Sequence, residues 1–468
     1  MALYVCSVCD TEYDEDKEAV RWNDLPTDWV CPVCDSGKAF WRRVGAEPDI
    51  SEDIEEATRE RVVSFDPQKV EDTHESYLAD IHAMAETGQS ITEPMQTRKA
   101  VISWDDILIQ GAQLARIPLN HDDPVETTTI IGPLAAQPLA LATPIYISHM
   151  SFGALSKEAK IALARGSKAM QTAIGSGEGG ILPESRDNSY KYIFEYVPNR
   201  YSVSEENLRS ADAIEIKFGQ SAKPGMGGHL PGSKVTREIA AIRGFSEGTD
   251  IISPAHYEDI LNREQLREKV AWLREVSGGR PIGIKFAAGH IEADLEVALY
   301  AEPDFITLDG RAGGTGASPK YVKGSVGVPT PFAVYRARKF MNEQKAFHVS
   351  LVCTGGLRVS SDFAKALALG ADAVAISTSA LMAIGCHQYR ICDSGKCPMG
   401  IATQDPELRA RLDIDKSADQ LHNFLKVCTA ELQDFARLTG NDNVHGLSIS
   451  DLCTTSSEIS NHTQIRHV

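Results

Sequence analysis

The chain has 468 residues, 42% of them hydrophobic and 24% charged, a composition typical of a soluble globular protein with two to four domains. Its 65 acidic and 47 basic residues leave a net charge of −18, which argues against nucleic acid as a partner because like charges repel. The sequence contains no apolar run of roughly 20 residues, so no membrane span is predicted. The opening MALYVCSVCD lacks the basic and apolar segments of a secretory signal, and we therefore expect a cytoplasmic protein.

Four cysteines near the start of the chain form two close pairs, Cys6 with Cys9 and Cys31 with Cys34. A two-residue gap lets both sulfurs of a pair face one point, so the two pairs can close a tetrahedral site for iron or zinc. The surrounding YVCSVCDTEYDEDK and DLPTDWVCPVCDSGKAFW are similar to rubredoxin. The resemblance implies a small metal-binding domain over residues 1–45, with one iron that carries a single electron. A structural zinc ribbon is the alternative. The small aromatic core implied by the resemblance is Tyr4, Tyr13, Trp29 and Phe40.

Residues 46–140 are predicted to be an acidic linker and a helical lead-in, with a helix over Val70–Ala85. We interpret the strongly acidic stretch Glu47–Glu60 as a solvated linker helix. The alternative interpretation is a docking face for a basic redox partner.

From Pro144 onward, short apolar runs alternate with glycine-rich loops and helical stretches such as Asn262–Val276 and Ser361–Leu369. This alternation predicts parallel βαβ units, and eight of them fit an α/β fold of the closed (β/α)8, or TIM-barrel, type over residues 141–455. An open doubly wound sheet is the second choice, because no GxGxxG follows the first run. The predicted strands are residues 144–150, 171–176, 213–218, 249–253, 281–286, 303–308, 348–354 and 371–377.

In such a barrel, the active site lies in the loops at the carboxyl ends of the strands. Gly355 and Gly356 follow the seventh predicted strand, and Ser377 and Thr378 follow the eighth, where backbone amides usually hold a phosphate. Lysines at strand ends are difficult to explain structurally, because a barrel interior is packed with apolar side chains. We therefore predict functional roles for the lysines at 217, 223 and 285.

The second group of cysteines is Cys386, Cys392 and Cys397. All three fall inside a twelve-residue stretch of one glycine-containing loop. Three thiolates in one loop, with proline after the last, fit an iron–sulfur cluster at 386–397. A chance grouping of thiols is the alternative.

The loops and this cysteine segment together resemble a known family over about residues 100–455. The motifs are MSFGALS, GEGG, EIKFGQSAKPG, IISPAHYED, DGRAGGTGASP, TGGLR and CPMGIATQDP. They are similar to the FMN-binding synthase domain of glutamate synthase. The resemblance implies the barrel, FMN, and a 3Fe-4S cluster on the three cysteines.

The resemblance also implies how the flavin is held. The glycines at 355 and 356, with Ser377 and Thr378, would cradle its phosphate. Lys285 would stabilise the reduced ring electrostatically, and Lys217 would serve the ring or the substrate. The residues expected to back the ring are Met150, Ser151 and Gly153.

For the family's substrate, 2-oxoglutarate, the resemblance implies that Lys223 and Arg243 bind carboxylate. Glu178 would contact ammonia or the imine nitrogen, and Glu178 or Lys223 would donate a proton. The chain reads KPGMGGHLPG where the family usually has KPGEGGQLPG, so Met226 and the substrate-binding His229 point either to a related 2-oxo acid or to a tolerated variation.

The chain begins with a cysteine-pair module instead of the family's glutaminase domain, so we expect ammonia from outside or from a separate amidotransferase subunit. No nucleotide-binding fingerprint is visible, and a reductase or ferredoxin is the expected electron donor. Two other functions remain open. One is amine transfer of the kind that forms N-methylglutamate, and the other is an electron-transfer component that only relays electrons.

Overall fold

The computed structural model describes residues 2–45 and 75–468, and the chain divides into two compact units at Ala79. The acidic stretch at 47–60 lies outside the described residues, as do residues 70–74 of the helix predicted over 70–85. The described helix runs over Leu78–Thr87. Within the described ranges, no helix is both long and apolar enough to cross a bilayer.

The N-terminal unit is built on a three-stranded antiparallel sheet. Its central strand, Leu3–Cys6, pairs with Glu12–Asp14 on one side and Trp41–Arg43 on the other. Two 3-10 helices lie at Trp22–Asp24 and Lys38–Phe40.

Aromatic rings form the interior of this unit. Trp22 stacks on Tyr4 with ring centroids 4.4 Å apart, and Trp41 lies 5.2 Å from Trp22. The predicted core members Tyr13 and Trp29 join this group. The prediction for Phe40 was wrong, because its side chain is 48% exposed. The strand begins one residue later, and the indole of Trp41 is the ring that packs inward instead.

The second unit contains a closed barrel of eight parallel strands, which confirms the predicted fold class and excludes the open sheet. The last barrel strand pairs with the first, with Val374 opposite Ile145, and this pairing closes the barrel. In chain order, barrel strands 1 to 8 are Ile145–Ile147, Ala173–Gly175, Lys191–Tyr196, Ala213–Lys217, Ile282–Ala287, Phe305–Asp309, Ser350–Thr354 and Ala373–Ile376.

Seven of these strands were predicted, but the one expected at 249–253 was wrong. Ile251–Ile252 instead pairs with His229–Leu230 in a two-stranded antiparallel ribbon outside the barrel, and Ile252 is 67% exposed. Its place in the barrel is taken by Lys191–Tyr196, whose Glu195 is buried in the interior. The run KYIFEY is followed by VPNRYSVS, which lacks the glycine-rich loop on which the prediction relied.

A β-hairpin closes the amino end of the barrel. Its strands, Thr129–Ile131 and Leu139–Leu141, pack apolar side chains against Phe305 and other residues near the strand starts. Because apolar side chains fill this end, the carboxyl end is the one left for a ligand site.

Helices surround the barrel, and the longest, Ile414–Leu438, packs closely on Lys157–Ala169. A Cβ on Gly166 would lie 2.8 Å from Leu421 Cβ, so only glycine allows this approach. The other helices are Pro183–Asp187, Glu205–Ser210, Arg237–Arg243, Arg263–Val276, Ile291–Tyr300, Lys320–Ser325, Thr330–Glu343, Ser360–Ala368, Thr378–Ala383, Pro406–Arg409 and Ser457–His462. The shorter strands are Thr92–Glu93 with Ser318–Pro319, and Ile107–Ile109 with Leu452–Thr454 and Arg466–His467.

Candidate active site and metal centres

The carboxyl ends of all eight barrel strands surround one cavity. Side chains from within or just after each strand line it, and so does the cysteine loop that follows strand 8. The structure brings every predicted site residue of the barrel except Gly153 to this cavity. In order of strand, its lining includes Met150, Glu178, Glu195, Lys217, Lys285, Asp309, Gly355 and Ser377.

The residues of the predicted phosphate cradle all line this cavity. Gly355 and Gly356 have φ values of +106° and +85°, and a Cβ on Gly355 would lie 2.3 Å from the Gly310 carbonyl oxygen. Ser377 and Thr378 line the same cavity from the neighbouring strand. Arg358, which was not predicted, adds a mostly buried cation beside them, and burial lowers its pKa. Glycine lets backbone N–H groups approach a phosphate closely, and a guanidinium can bind phosphate oxygens. These residues therefore fit the FMN expected from the sequence.

Lys217 and Glu178 form a short buried ion pair, with Nζ 2.6 Å from Oε2. Burial raises the pKa of Glu178, but the ammonium of Lys217 outweighs this effect and the net direction is downward. Burial lowers the pKa of Lys217, whereas Glu178 and Glu195 raise it well above its usual range. Both groups are therefore held in their charged forms at neutral pH.

A second charged cluster joins the predicted Lys285 to three residues that were not predicted from the sequence, Glu195, Glu215 and His149. Lys285 Nζ is 3.2 Å from Glu195 Oε1 and 3.8 Å from Glu215 Oε1. His149 Nε2 is 3.2 Å from the same Glu215 oxygen. Burial by itself would raise the pKa of Glu195. The nearby Lys217, His149 and Lys285 more than offset this effect and lower the pKa to about 2. The available signal was a glutamate inside each of two strand-like runs, KYIFEY and AIEIK.

Lys223 differs from the other two predicted lysines because it forms no ion pair with a carboxylate among the described residues. Its side chain lines the cavity and is 7% exposed, and no carboxylate among the described residues lies within 4.0 Å of it. Burial, and then repulsion from Lys217, lower its pKa to about 8. An unpaired buried amine of this kind is prepared to receive an anionic ligand group.

Arg243 lines the cavity, and its guanidinium packs against Gly153, which has no side chain. Its Nη2 donates to the Phe152 carbonyl at 2.8 Å, and its guanidinium lies over the Tyr201 ring. Gly153 does not line the cavity. A Cβ there would lie 2.9 Å from Leu230 Cδ2 and 3.1 Å from Arg243 Nη2, so a side chain at this position would press on both.

His229 lies at the cavity rim and is half exposed, with its Nε2 3.1 Å from Asp250 Oδ2. The other oxygen of Asp250 accepts from the Gly232 N–H at 2.7 Å, which fixes the carboxylate. Met226 is 41% exposed and is not among the lining residues.

Buried Lys160 ties together the ends of barrel strands 1 and 2. Its Nζ donates to the carbonyls of Met150, Gly175 and Ser176 at 2.8, 3.1 and 3.0 Å. These bonds hold the backbone that carries the predicted Met150 and Ser151 in the cavity wall.

Cys386, Cys392 and Cys397 lie in the wall of the same cavity. Their sulfurs do not all lie within 4.8 Å of one another, so they do not form the compact tetrahedral arrangement expected for one metal ion. Burial raises the pKa of Cys392 to about 11, so the free thiol would be protonated at neutral pH. Bound iron would stabilise the thiolate.

The four cysteines of the N-terminal unit are arranged differently, with all four sulfurs within 4.8 Å of one another. Cys6 Sγ is 3.6 Å from Cys34 Sγ, and Cys9 Sγ is 3.6 Å from Cys31 Sγ. Sulfurs placed about 2.3 Å from a central ion in a tetrahedron are about 3.8 Å apart. The observed spacing fits one metal ion, as predicted.

Comparisons with known proteins agree with this division of the chain. The model of the conserved region in glutamate synthase matches residues 80–442, and the rubredoxin model matches residues 3–41. The chain is 38% identical over 422 residues to a glutamate synthase large subunit-like protein of Rhizobium meliloti, covering 86% of this chain and 96% of that protein. It is 37% identical over 404 residues to an archaeal-type NADPH glutamate synthase of Thermotoga maritima, covering 81% and 80%. The chain belongs to the glutamate synthase family and carries a rubredoxin domain ahead of its glutamate synthase region.

Proposed function

We propose that the protein is a glutamate synthase-type, FMN-dependent oxidoreductase that reductively aminates 2-oxoglutarate or a related 2-oxo acid. In the balanced reaction, the 2-oxo acid, ammonia, two electrons and two protons give the amino acid and water. The observation that carries the proposal is the single cavity in which phosphate-binding loops, unpaired cations and three cysteine thiols meet. The names of the relatives, glutamate synthases among them, support it.

Bound FMN, in its reduced form, would supply two electrons to the substrate. The phosphate would be held by Gly355, Gly356, Ser377 and Thr378, which line the cavity. Lys285, kept charged by two glutamates, would place positive potential near the ring.

Substrate binding would depend on the cations that the protein leaves free. Lys223 has no carboxylate partner among the described residues, and Arg243 retains a buried Nε without a hydrogen-bond acceptor. A dicarboxylate would satisfy both groups. His229, at the cavity rim, would donate a hydrogen bond to the same ligand. This hydrogen bond would help the protein to distinguish one 2-oxo acid from another.

Proton transfer is assigned more readily to Lys223 than to Glu178. The pKa of Lys223 is about 8, so it can give up a proton near neutral pH. Glu178 remains ionised beside Lys217, and its carboxylate would accept hydrogen bonds from ammonia or from the imine N–H.

Electrons would come from a ferredoxin or a reductase, through iron on the four N-terminal cysteines and a 3Fe-4S cluster on Cys386, Cys392 and Cys397. The tetrahedral spacing of the first set, and the position of all three cysteines of the second set in the cavity wall, support these two assignments. Ammonia would be free in solution or delivered by a separate amidotransferase subunit.

The test is anaerobic turnover of the full-length protein with reduced ferredoxin, 2-oxoglutarate and ¹⁵N-ammonium, followed by mass spectrometry of the product. We expect ¹⁵N-labelled glutamate, and none without reductant. Flavin that cycles only with a protein acceptor, without amino acid formation from any 2-oxo acid tried, would favour a relay instead. N-methylglutamate formed from methylamine without reductant would favour amine transfer.

A further inference from the structure

Lys234 lies where the cavity meets the cysteine loop, and no step of the proposed reaction uses it. It ends the 3-10 helix Gly232–Lys234, and its side chain lines the cavity although it is only 6% exposed. Its ammonium donates a hydrogen bond to the backbone carbonyl of Cys392. The residue therefore links the substrate side of the cavity to the loop that holds the three thiols.

Lys234 forms no ion pair with a carboxylate in the part of the chain that the structure describes. Among the described residues, its Nζ has one hydrogen-bond acceptor and no carboxylate within 4.0 Å, although an ammonium has three N–H donors. Lys217 and Lys285, in contrast, are each paired with buried glutamates. A buried cation without a counter-charge is unfavourable unless a ligand supplies one.

The cysteine loop is shaped to receive this side chain. Gly395 has a φ of +72°, and a Cβ there would lie 3.1 Å from Lys234 Cε, so a side chain would press against the lysine stem. The hydrogen bond to the Cys392 carbonyl holds the ammonium beside the loop that carries the three thiols.

We propose that Lys234 is a positioning residue that supplies the counter-charge for the iron–sulfur cluster on Cys386, Cys392 and Cys397 and raises its reduction potential. The inference rests on the proposed function, because that function assigns the cluster. A cluster held by thiolates is an anion, and it becomes more negative when one electron enters. A nearby cation therefore stabilises the reduced form more than the oxidised form.

The experiment compares wild-type protein with Lys234→Met and Lys234→Gln by EPR-monitored redox titration and acid-labile sulfide analysis. Sulfide counts the cluster alone, since a mononuclear iron on four cysteines holds none. Lys365→Met is the matched control, because Lys365 is also buried and donates to one backbone carbonyl, that of Trp104, at 2.8 Å. Lys365 does not line the cavity.

We expect the ratio of reduced to oxidised cluster, at the wild-type midpoint, to fall on the order of tenfold in Lys234→Met, equivalent to about 59 mV for a one-electron couple. Lys234→Gln retains a donor for the Cys392 carbonyl but no charge, and it should shift similarly. Lys365→Met should match the wild type. A full cluster at the wild-type potential in either Lys234 variant would overturn the inference, and in the Gln variant it would assign the effect to the hydrogen bond.

Loss of the cluster from both neutral variants, with retention in Lys234→Arg, would also support the charge. Loss from the Arg variant as well would count against it. The proposed function fails separately: wild-type protein that holds no labile sulfide and shows no cluster signal would refute the cluster itself.

Discussion

Lys223 provides a sharp test of the cavity's electrostatics. Its pKa falls from the ordinary 10.5 to about 8, which corresponds to about 3 kcal/mol acting against the charged form. Because the side chain is only 7% exposed, solvent screens this effect weakly. Half of the free enzyme should therefore lose this positive charge near pH 8, within the range where activity is easily measured.

The assay is kcat/KM for the 2-oxo acid as a function of pH, since this constant reports groups of the free enzyme. If protonated Lys223 binds a carboxylate and donates the proton, kcat/KM should be flat below about pH 7. It should fall about tenfold per pH unit well above about pH 8. Arginine keeps its charge throughout this range, so Lys223→Arg should remove the alkaline fall even where its maximal value is lower.

The pH profiles of the wild type and of Lys223→Arg could also refute this role of Lys223. A wild-type kcat/KM that stays flat to about pH 9.5, or a Lys223→Arg profile with an unchanged alkaline limb, would show that another group controls the reaction. Lys223→Met, which has no charge at any pH, should give a low, pH-independent value.

Three further predictions follow from the same geometry. Gly355→Ala should weaken FMN binding on the order of tenfold in fluorescence titrations, because its positive φ and the Gly310 carbonyl oppose a Cβ. Gly278→Ala, at a φ of +73° with its nearest neighbour 3.8 Å away, is the control, and equal losses in both would contradict this account. Lys217→Met should lower the free energy of unfolding of the apoprotein in urea by about 3–5 kcal/mol, because buried Glu178 loses its cation. The loss should shrink as the pH falls and Glu178 takes up a proton, and a loss independent of pH would argue against the ion pair. Cys9→Ser should remove one iron per chain by metal analysis while bound FMN is unchanged, and undiminished iron would disprove the four-cysteine site.

The sequence was sufficient for features that depend on neighbouring residues. Seven barrel strands and the cysteine pairs follow from short-range patterns, and the structure places them as expected. The strand Lys191–Tyr196 was missed because no glycine-rich loop follows it, and its Glu195 lies inside the barrel. What makes that glutamate tolerable is Lys285, 90 residues further along the chain.

The same limitation applies to the parts of the candidate site that were not foreseen. Lys234 and Cys392 are 158 residues apart in sequence, yet one hydrogen bond joins them. His149, just after the first strand, meets Glu215 of the fourth strand only because barrel closure brings the two strands together. Contacts of this kind arise from barrel closure, which sequence periodicity predicts as a topology but not as pairs of atoms.

The three carbonyl acceptors of Lys160 have a consequence for how the site assembles. The lysine belongs to the helix Lys157–Ala169, and its acceptors lie at or just beyond the ends of two different strands. Undocking this helix would release both strand ends together, so the cavity wall and the outer layer should open as one cooperative unit in hydrogen exchange. Amides of the loops after strands 1 and 2 would then exchange at the rate of the helix rather than at the rate of a surface loop.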